Sequence, residues 1–409
     1  MINSGDTAWV LVSSALVLLM TPGLAFFYGG MVRRKNMLSV LMQCFIIMCV
    51  LSLQWVLYGY SLSFAPAKGF WGGFAWLGLR GVGLEPYADY AGTIPHQAFM
   101  IFQAMFAIIT PALIIGAFAE RMKFSAFLVF TLLWATFVYD PVCHWVWGIG
   151  GWIRALGALD FAGGTVVHIN AGIAALVTAL VIGRRKNLEH NVPTPHNLPF
   201  VVLGTGLLWF GWFGFNAGSA LAANGLSVNA FVVTNTAAAA AGLSWALIEW
   251  VHNGKPTIFG TASGVVAGLV AITPAAGYVS VIPAIIIGLS VSVFCFMAVS
   301  FIKPKLGYDD SLDAFGVHCV GGIWGALATG LFASKAVNPA GADGLFFGNP
   351  KQFFIQLIAV LVTVVYAFIV TFVIYKLVDL FVGVRVTEKE EMMGLDLTQH
   401  RERAYTVLE

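Results

Sequence analysis

Charged side chains are spaced along this chain so that long uncharged intervals lie between them. Between consecutive Asp, Glu, Lys or Arg residues the gaps are 7–32, 36–67, 90–119, 124–139, 161–183, 190–248, 256–302, 314–334 and 352–375. A helix that crosses a bilayer needs about 20 mainly apolar residues. The gaps of 59 and 47 residues are each long enough for two crossings. The first has a natural break at Ala223-Asn224-Gly225, the second at Thr273-Pro274-Ala275-Ala276-Gly277, both rich in turn-forming residues. The short gap 124–139 extends through Asp140 to Trp145 and Trp147, which puts Asp140 near an interface. The pattern predicts an all-α polytopic membrane protein with 11 transmembrane helices. The stretch 8–29 reads as a retained span, because Asp6 precedes it without a basic n-region and it is too long for an h-region.

Composition agrees with the spacing. Of 409 residues, 21 are basic and 19 acidic, or 10% charged, against about 25% in a soluble domain. Apolar residues make up 59%. So few charges exclude soluble enzymes, nucleic-acid binders and secreted disulfide scaffolds as leading readings. The net charge of +2 argues against a polyanion-binding surface. The five cysteines (Cys44, Cys49, Cys143, Cys295 and Cys319) form no CxxC pair and read as buried small hydrophobes. No metal, cofactor or enzymatic activity is expected.

The basic residues orient the chain. Loops after odd-numbered spans and the tail hold 16 of them, among them Arg33, Arg34, Arg121, Arg184, Arg185 and Lys303; the even-numbered loops hold 5. This bias places the N-terminus outside and the C-terminus in the cytoplasm. The chain divides into a transmembrane region, 1–383, and a cytoplasmic tail, 384–409, with ten charges and a regulatory or packing role weighed evenly against a plain solvated tail. Glycines at 163–164, 204/206, 211/214/218 and 321–322/325 are spaced for close helix approach.

Ionisable groups inside a membrane are expensive and mark candidate functional sites. His168 and His318 are the two deepest. Asp160 stands eight residues before His168, with Gly172-Ile173 after it; Asp310 stands eight before His318, with Gly322-Ile323 after it. The pattern D-x7-H-x3-G-I thus occurs twice, at an offset of 150 residues. Five crossings separate the copies, so the two run in opposite directions: an inverted 5+5 repeat plus a final helix, with its site near the symmetry axis. Two histidines on such helices can meet near the midplane, share a hydrogen bond and offer polar contacts to a small solute. Asp160 precedes a glycine-rich helix start, where a carboxylate caps free N–H groups, and its charge can help hold a cation. Asp310 belongs to a charged cluster with Asp309 and Asp313.

Longer motifs resemble the Amt/Mep/Rh ammonium transporter family, in its bacterial Amt branch. They include Phe26-Phe27-Tyr28-Gly29-Gly30-Met31-Val32-Arg33, Phe102-Gln103 with Phe106-Ala107-Ile108-Ile109-Thr110, and Ala119-Glu120-Arg121. The run from Asp160 to Asn170, Trp212-Phe213-Gly214-Phe215-Asn216-Ala217-Gly218-Ser219, Asp313-Ala314-Phe315-Gly316-Val317-His318 and Gly394-Leu395-Asp396 complete the set. The resemblance implies an outer recruitment site at Phe106, Trp147 and Ser219, with Asp160 needed for transport. It implies a phenyl gate at Phe106 and Phe215, and a pore lined by twin histidines at His168 and His318. It also implies a homotrimer in the cell (inner) membrane that moves ammonium or ammonia and can bind a PII-type signalling protein through the tail face. A haem-bearing redox protein would want two histidine pairs on facing helices. A sensor built on this scaffold would carry a fused signalling domain, for which the tail is too short.

Overall fold

The computed structural model describes residues 1–186 and 194–405. The start of the uncharged stretch 190–248 and the end of the tail, 406–409, lie outside them. Ten helices are long and apolar enough to cross a membrane. They are α1 Ser4–Met31, α2 Arg34–Phe64, α3 His96–Phe118, α4 Phe124–Leu156, α5 Gly164–Ile182, α6 Leu198–Gly218, α7 Gly225–Asn253, α9 Val281–Leu306, α10 Phe315–Phe332 and α11 Pro350–Phe381. The shorter apolar helix α8, Ile258–Ile272, brings the number to eleven. The tail adds α12 Glu388–Met393 and α13 Leu395–His400. Among the described residues there is no sheet, only two isolated bridges.

Both predicted breaks fall where turn chemistry places them. Asn224 caps α7, its side chain accepting from the N–H groups of Leu226 and Ser227, while Ser227 bonds back to Asn224 N. That reciprocal pair satisfies donors that a helix start otherwise leaves open. The second break follows α8, where Thr273 Oγ1 accepts from Trp212 Nε1 at 2.8 Å.

The repeat is visible as paired crossings. Helix α1 packs on α6 through Gly204, Gly211, Gly214 and Gly218, whose absent Cβ atoms admit Phe27, Met20, Leu16 and Ser13. The α5–α10 crossing is reciprocal: a Cβ on Gly172 would collide with the Cys319 backbone, and one on Gly322 would lie 3.1 Å from the Gly164 carbonyl and from His168 Cβ. The glycine four residues after each histidine therefore admits the turn bearing the other histidine. Gly206 does not share this role, since nothing lies within 4 Å of its Cβ position.

Two further expectations are corrected, for Asp140 and Cys49, and the tail takes up an arrangement that the sequence leaves open. Asp140 is not near a helix end: it lies about two-thirds of the way along the unbroken part of α4, fully buried, accepting from Gln54 Nε2 at 2.8 Å and Ser63 Oγ at 3.2 Å. A charge locates an interface only where no neighbouring span supplies donors. Cys49 is exposed on α2, whereas the other four cysteines are buried; all five are free thiols. The tail is docked along its described length. Lys123 N donates to the Val384 carbonyl, Val386 N to the Arg121 carbonyl, Ser39 N to Asp396 Oδ1 and Leu395 N to Asn36 Oδ1. The docked tail defines a tail face; the α1 start lies on the far face.

Candidate functional site

The site grows from two helix starts. The Asp160 carboxylate takes four backbone N–H groups: Gly163 and Gly164 on Oδ1 at 2.9 and 2.6 Å, Thr165 and Val166 on Oδ2 at 2.9 and 3.1 Å. Gly163 adopts φ +117, open to glycine at little cost, which lets the chain turn sharply around the carboxylate. The first turns of α5 (Gly164–Ile169) and α10 (Phe315–Cys319) are both π-helical. Such wide turns displace side chains from the regular helical register and recur at functional sites. Each carries one histidine, and the two imidazoles lie face to face, centroids 5.5 Å apart and planes 11° from parallel. Both are buried.

The rings meet without the hydrogen bond that their pairing suggests. Both nitrogens of His168 and Nδ1 of His318 are buried without a partner among the described residues. They are bonded neither to each other nor to a carbonyl. A buried polar atom left unpaired costs about 1–3 kcal/mol, so three in one place mark a site where a polar solute gains by passing.

A file of cavities runs through this point. On the far face a cavity of about 710 Å³ is lined by Gln103, Phe106, Trp147, Asp160 and Ser219. Below it the Phe106 and Phe215 rings close the way, centroids 4.4 Å apart. Next is a space of about 10 Å³ bounded by Phe215, Trp212, His168 and His318, then a second of about 10 Å³ bounded by His318, Tyr28, Phe259 and Val266. The file ends in a tail-face cavity of about 870 Å³ that shares Met31, Phe259, Leu312 and Asp313 with the last small space. The two central spaces are each about one water across; the first is apolar apart from the histidines, and the second is also bordered by Tyr28, Ser263 and Asp313.

All seven residues picked out by sequence lie on this file. Phe106 and Trp147 stand edge to face at 5.8 Å, and Trp147 Nε1 donates to the Asp160 carbonyl at 2.8 Å. Ser219 Oγ donates to the Phe215 carbonyl at 2.8 Å, so its oxygen lone pairs are left to accept. Asp160 lines the far cavity, but its carboxylate is occupied by backbone. Trp212, which the sequence reading did not single out, also borders the first small space and stacks on His168 at 5.4 Å and 18°. Its signal was present, since Trp212, Phe215 and Ser219 follow at i, i+3 and i+7 on one helical face.

The tail face is held by a buried ion-pair network. Arg185 meets Asp309 with two bonds, Nε–Oδ2 at 2.9 Å and Nη2–Oδ1 at 2.8 Å, and reaches Glu120 at 3.3 Å; Arg33 Nε meets Glu120 at 2.8 Å. Burial alone would push the Asp309 carboxyl up, but Arg185 and Arg121 hold it down to about 2. Burial likewise opposes Arg185 and Arg33 at Glu120, which stays below its usual value. Asp310 is different. Its Oδ2 accepts Phe315 N at 2.8 Å in α10, and its Oδ1 is buried without a partner among the described residues. Burial raises it to about 6, with Lys303 pulling back and Asp313 adding to the rise. The aspartates at 309, 310 and 313 thus have different partners, the last paired with Lys303 at 2.6 Å. Among the described residues no cluster of metal-ligating side chains is present.

Comparison with known proteins agrees with this architecture. The chain is 57% identical to an ammonium transporter of Bacillus subtilis, over 98% of each chain. It is 51% identical to ammonium transporter Amt1 of Archaeoglobus fulgidus, over 99% of this chain and all of that one. The crystal structure of Candida albicans Mep2 superposes with a TM-score of 0.90 at 39% identity, covering 98% of this chain and 90% of that one. A sensor Amt protein superposes at 0.88 with 29% identity, over 97% and 98%. The Ammonium Transporter Family as a whole matches residues 8–405. This is a multi-pass membrane protein, not an enzyme, and the chain belongs to the ammonium transporter family.

Proposed function

We propose that the protein conducts ammonia across a bilayer after recruiting ammonium from outside and removing its proton near the phenyl gate. The observation that carries this reading is the pair of unbonded histidines at an otherwise apolar constriction, closed above by Phe106 and Phe215. Recruitment uses the ring faces of Phe106 and Trp147 and the lone pairs of Ser219. A ring face attracts a desolvated cation by about 2 kcal/mol. An ion in hydrocarbon costs tens of kcal/mol, so the cation stops at the gate and neutral ammonia continues. Asp160 fixes the backbone of the turn that aims His168 and adds negative charge beside the recruitment cavity. His168 and His318, neutral in apolar surroundings, offer donors and acceptors that ease ammonia through; in the co-transport reading the proton crosses as well.

The basic-residue bias supports a far face outside and a tail face in the cytoplasm of the cell (inner) membrane. Residues 1–383 are the transport domain and 384–409 its cytoplasmic tail. The protomer works as a homotrimer with one pore in each subunit, and the tail face receives a PII-type signalling protein.

The test is uptake into proteoliposomes, read from internal pH and radiolabelled methylammonium. The wild type is expected to carry both, and His168→Ala or His318→Ala to reduce the rate at least several-fold. Binding of ammonium without uptake would contradict transport and favour a sensor.

A further inference from the structure

Gln103 stands one helical turn before Phe106 on α3 and lines the far-face cavity together with Phe106, Trp147 and Ser219. Its side-chain amide has no hydrogen bond to protein among the described residues, and its Oε1 is buried without a partner. Asp160, Trp147 and Ser219 are already engaged within the protein, while Asp89, Tyr278 and Lys351 also line the cavity. The Asp160 carboxylate holds four backbone N–H groups, the Trp147 N–H goes to the Asp160 carbonyl, and the Ser219 proton goes to Phe215. An amide carries a donor end and an acceptor end, and a half-turn about its last torsion exchanges them at little cost. Gln103 is therefore an adjustable polar group without a protein partner in the cavity that Phe106, Trp147 and Ser219 also line.

Ammonium presents four N–H donors at tetrahedral angles. The rings of Phe106 and Trp147 take two against their faces, and Ser219 Oγ, its own proton used elsewhere, takes a third. One donor remains. We propose that the Gln103 carbonyl accepts that fourth N–H, making Gln103 a specificity-determining residue that favours ammonium over its N-methyl form. Methylammonium has only three N–H groups, so the rings and Ser219 satisfy it and a fourth acceptor adds little. The inference rests on the reading of this cavity as the recruitment site.

The test compares half-saturating concentrations of ammonium and methylammonium in proteoliposomes for wild type, Gln103→Leu, Gln103→Glu and Ser219→Ala. Gln103→Leu is expected to raise the ammonium value about tenfold, the size of one hydrogen bond to a charged group. The methylammonium value should rise less than about threefold, so discrimination between the ions falls. Gln103→Glu keeps an oxygen acceptor and should preserve the discrimination. Equal rises for both ions in Gln103→Leu would overturn the inference. So would an unchanged Gln103→Leu beside a weakened Ser219→Ala. If Ser219→Ala and Gln103→Leu both match wild type, the recruitment site itself is wrong, and the inference falls with it.

Discussion

At the scale of single residues, the polar groups near the pore divide into those that are satisfied and those left open. Asp160 is fully engaged: four N–H donors on two oxygens leave it little freedom to meet a passing ion directly. Its chemistry is that of a fixed anionic cap. Asp160→Asn would place an amide NH2 against two backbone donors, or leave them unpaired. The expected cost is about 2 kcal/mol or more, since buried donors lose their acceptor. Thermal unfolding in detergent should show a lower midpoint, accompanied by loss of uptake; a variant as stable and as active as wild type would refute the capping role. The histidines are the opposite case, with three ring nitrogens buried and unpaired. Sequence located both residues and their partnership but not their lack of a mutual bond. Ring orientation is set by the two π-turns and by the Trp212 ring stacked on His168, which no spacing rule encodes.

At the scale of helices, the crossing of α5 and α10 holds the pore in shape. Gly172→Val is expected to disrupt folding, because Cys319 backbone occupies the space a side chain would need. Gly206→Val on α6 should be nearly neutral, since that position faces open space. Monodispersity of the two purified variants in detergent measures the contrast, and equal behaviour would contradict the packing. The same comparison shows what spacing could and could not reveal: Gly172 stands in the repeated histidine motif, whereas Gly206 shared a dense glycine pattern with Gly204 that its open surroundings do not use. Asp140 makes the same point. Its charge reads as an interface marker until Gln54 and Ser63 on α2 are seen to satisfy it inside the bundle.

The tail-face loops add a pH signature at this scale. Asp309, held at about 2 against an ordinary 3.8, contributes stability that is complete above about pH 4 and lost as pH falls toward 2. Asp310, raised to about 6, works in the other direction: folding binds its proton between about pH 4 and 6, so stability falls as pH rises through that window. Asp310→Asn keeps an oxygen for Phe315 N and removes the titration. Its thermal midpoint relative to wild type should improve from pH 5 to pH 8; a constant difference would refute the assignment.

At the scale of the whole molecule, scarcity of charge and a repeated histidine motif were enough to read most of the architecture. The breaks at Asn224 and Pro274 and the eleven spans were legible because turn chemistry and helix length are local properties. The inverted repeat was legible because Gly172 and Gly322 each serve the opposite histidine turn. The docking of the tail was open, because its partners Asn36, Ser39, Arg121 and Lys123 are remote in sequence. The resulting molecule is a bundle whose two wide cavities are joined by two spaces of about 10 Å³ each. On the proposed mechanism such a path would exclude a hydrated ion by size and a bare ion by dehydration cost.

The central claim is that selectivity comes from stripping a proton in front of an apolar, histidine-lined pore. Its most direct measure is current in planar bilayers or liposomes under ammonium and under potassium, for wild type, His168→Ala, His318→Ala and the double variant. The wild type is predicted to respond to ammonium and to exclude potassium, and the double variant to lose most of the ammonium response or to admit potassium. If every variant carries ammonium at the wild-type rate and still excludes potassium, the histidines do not perform the role assigned to them.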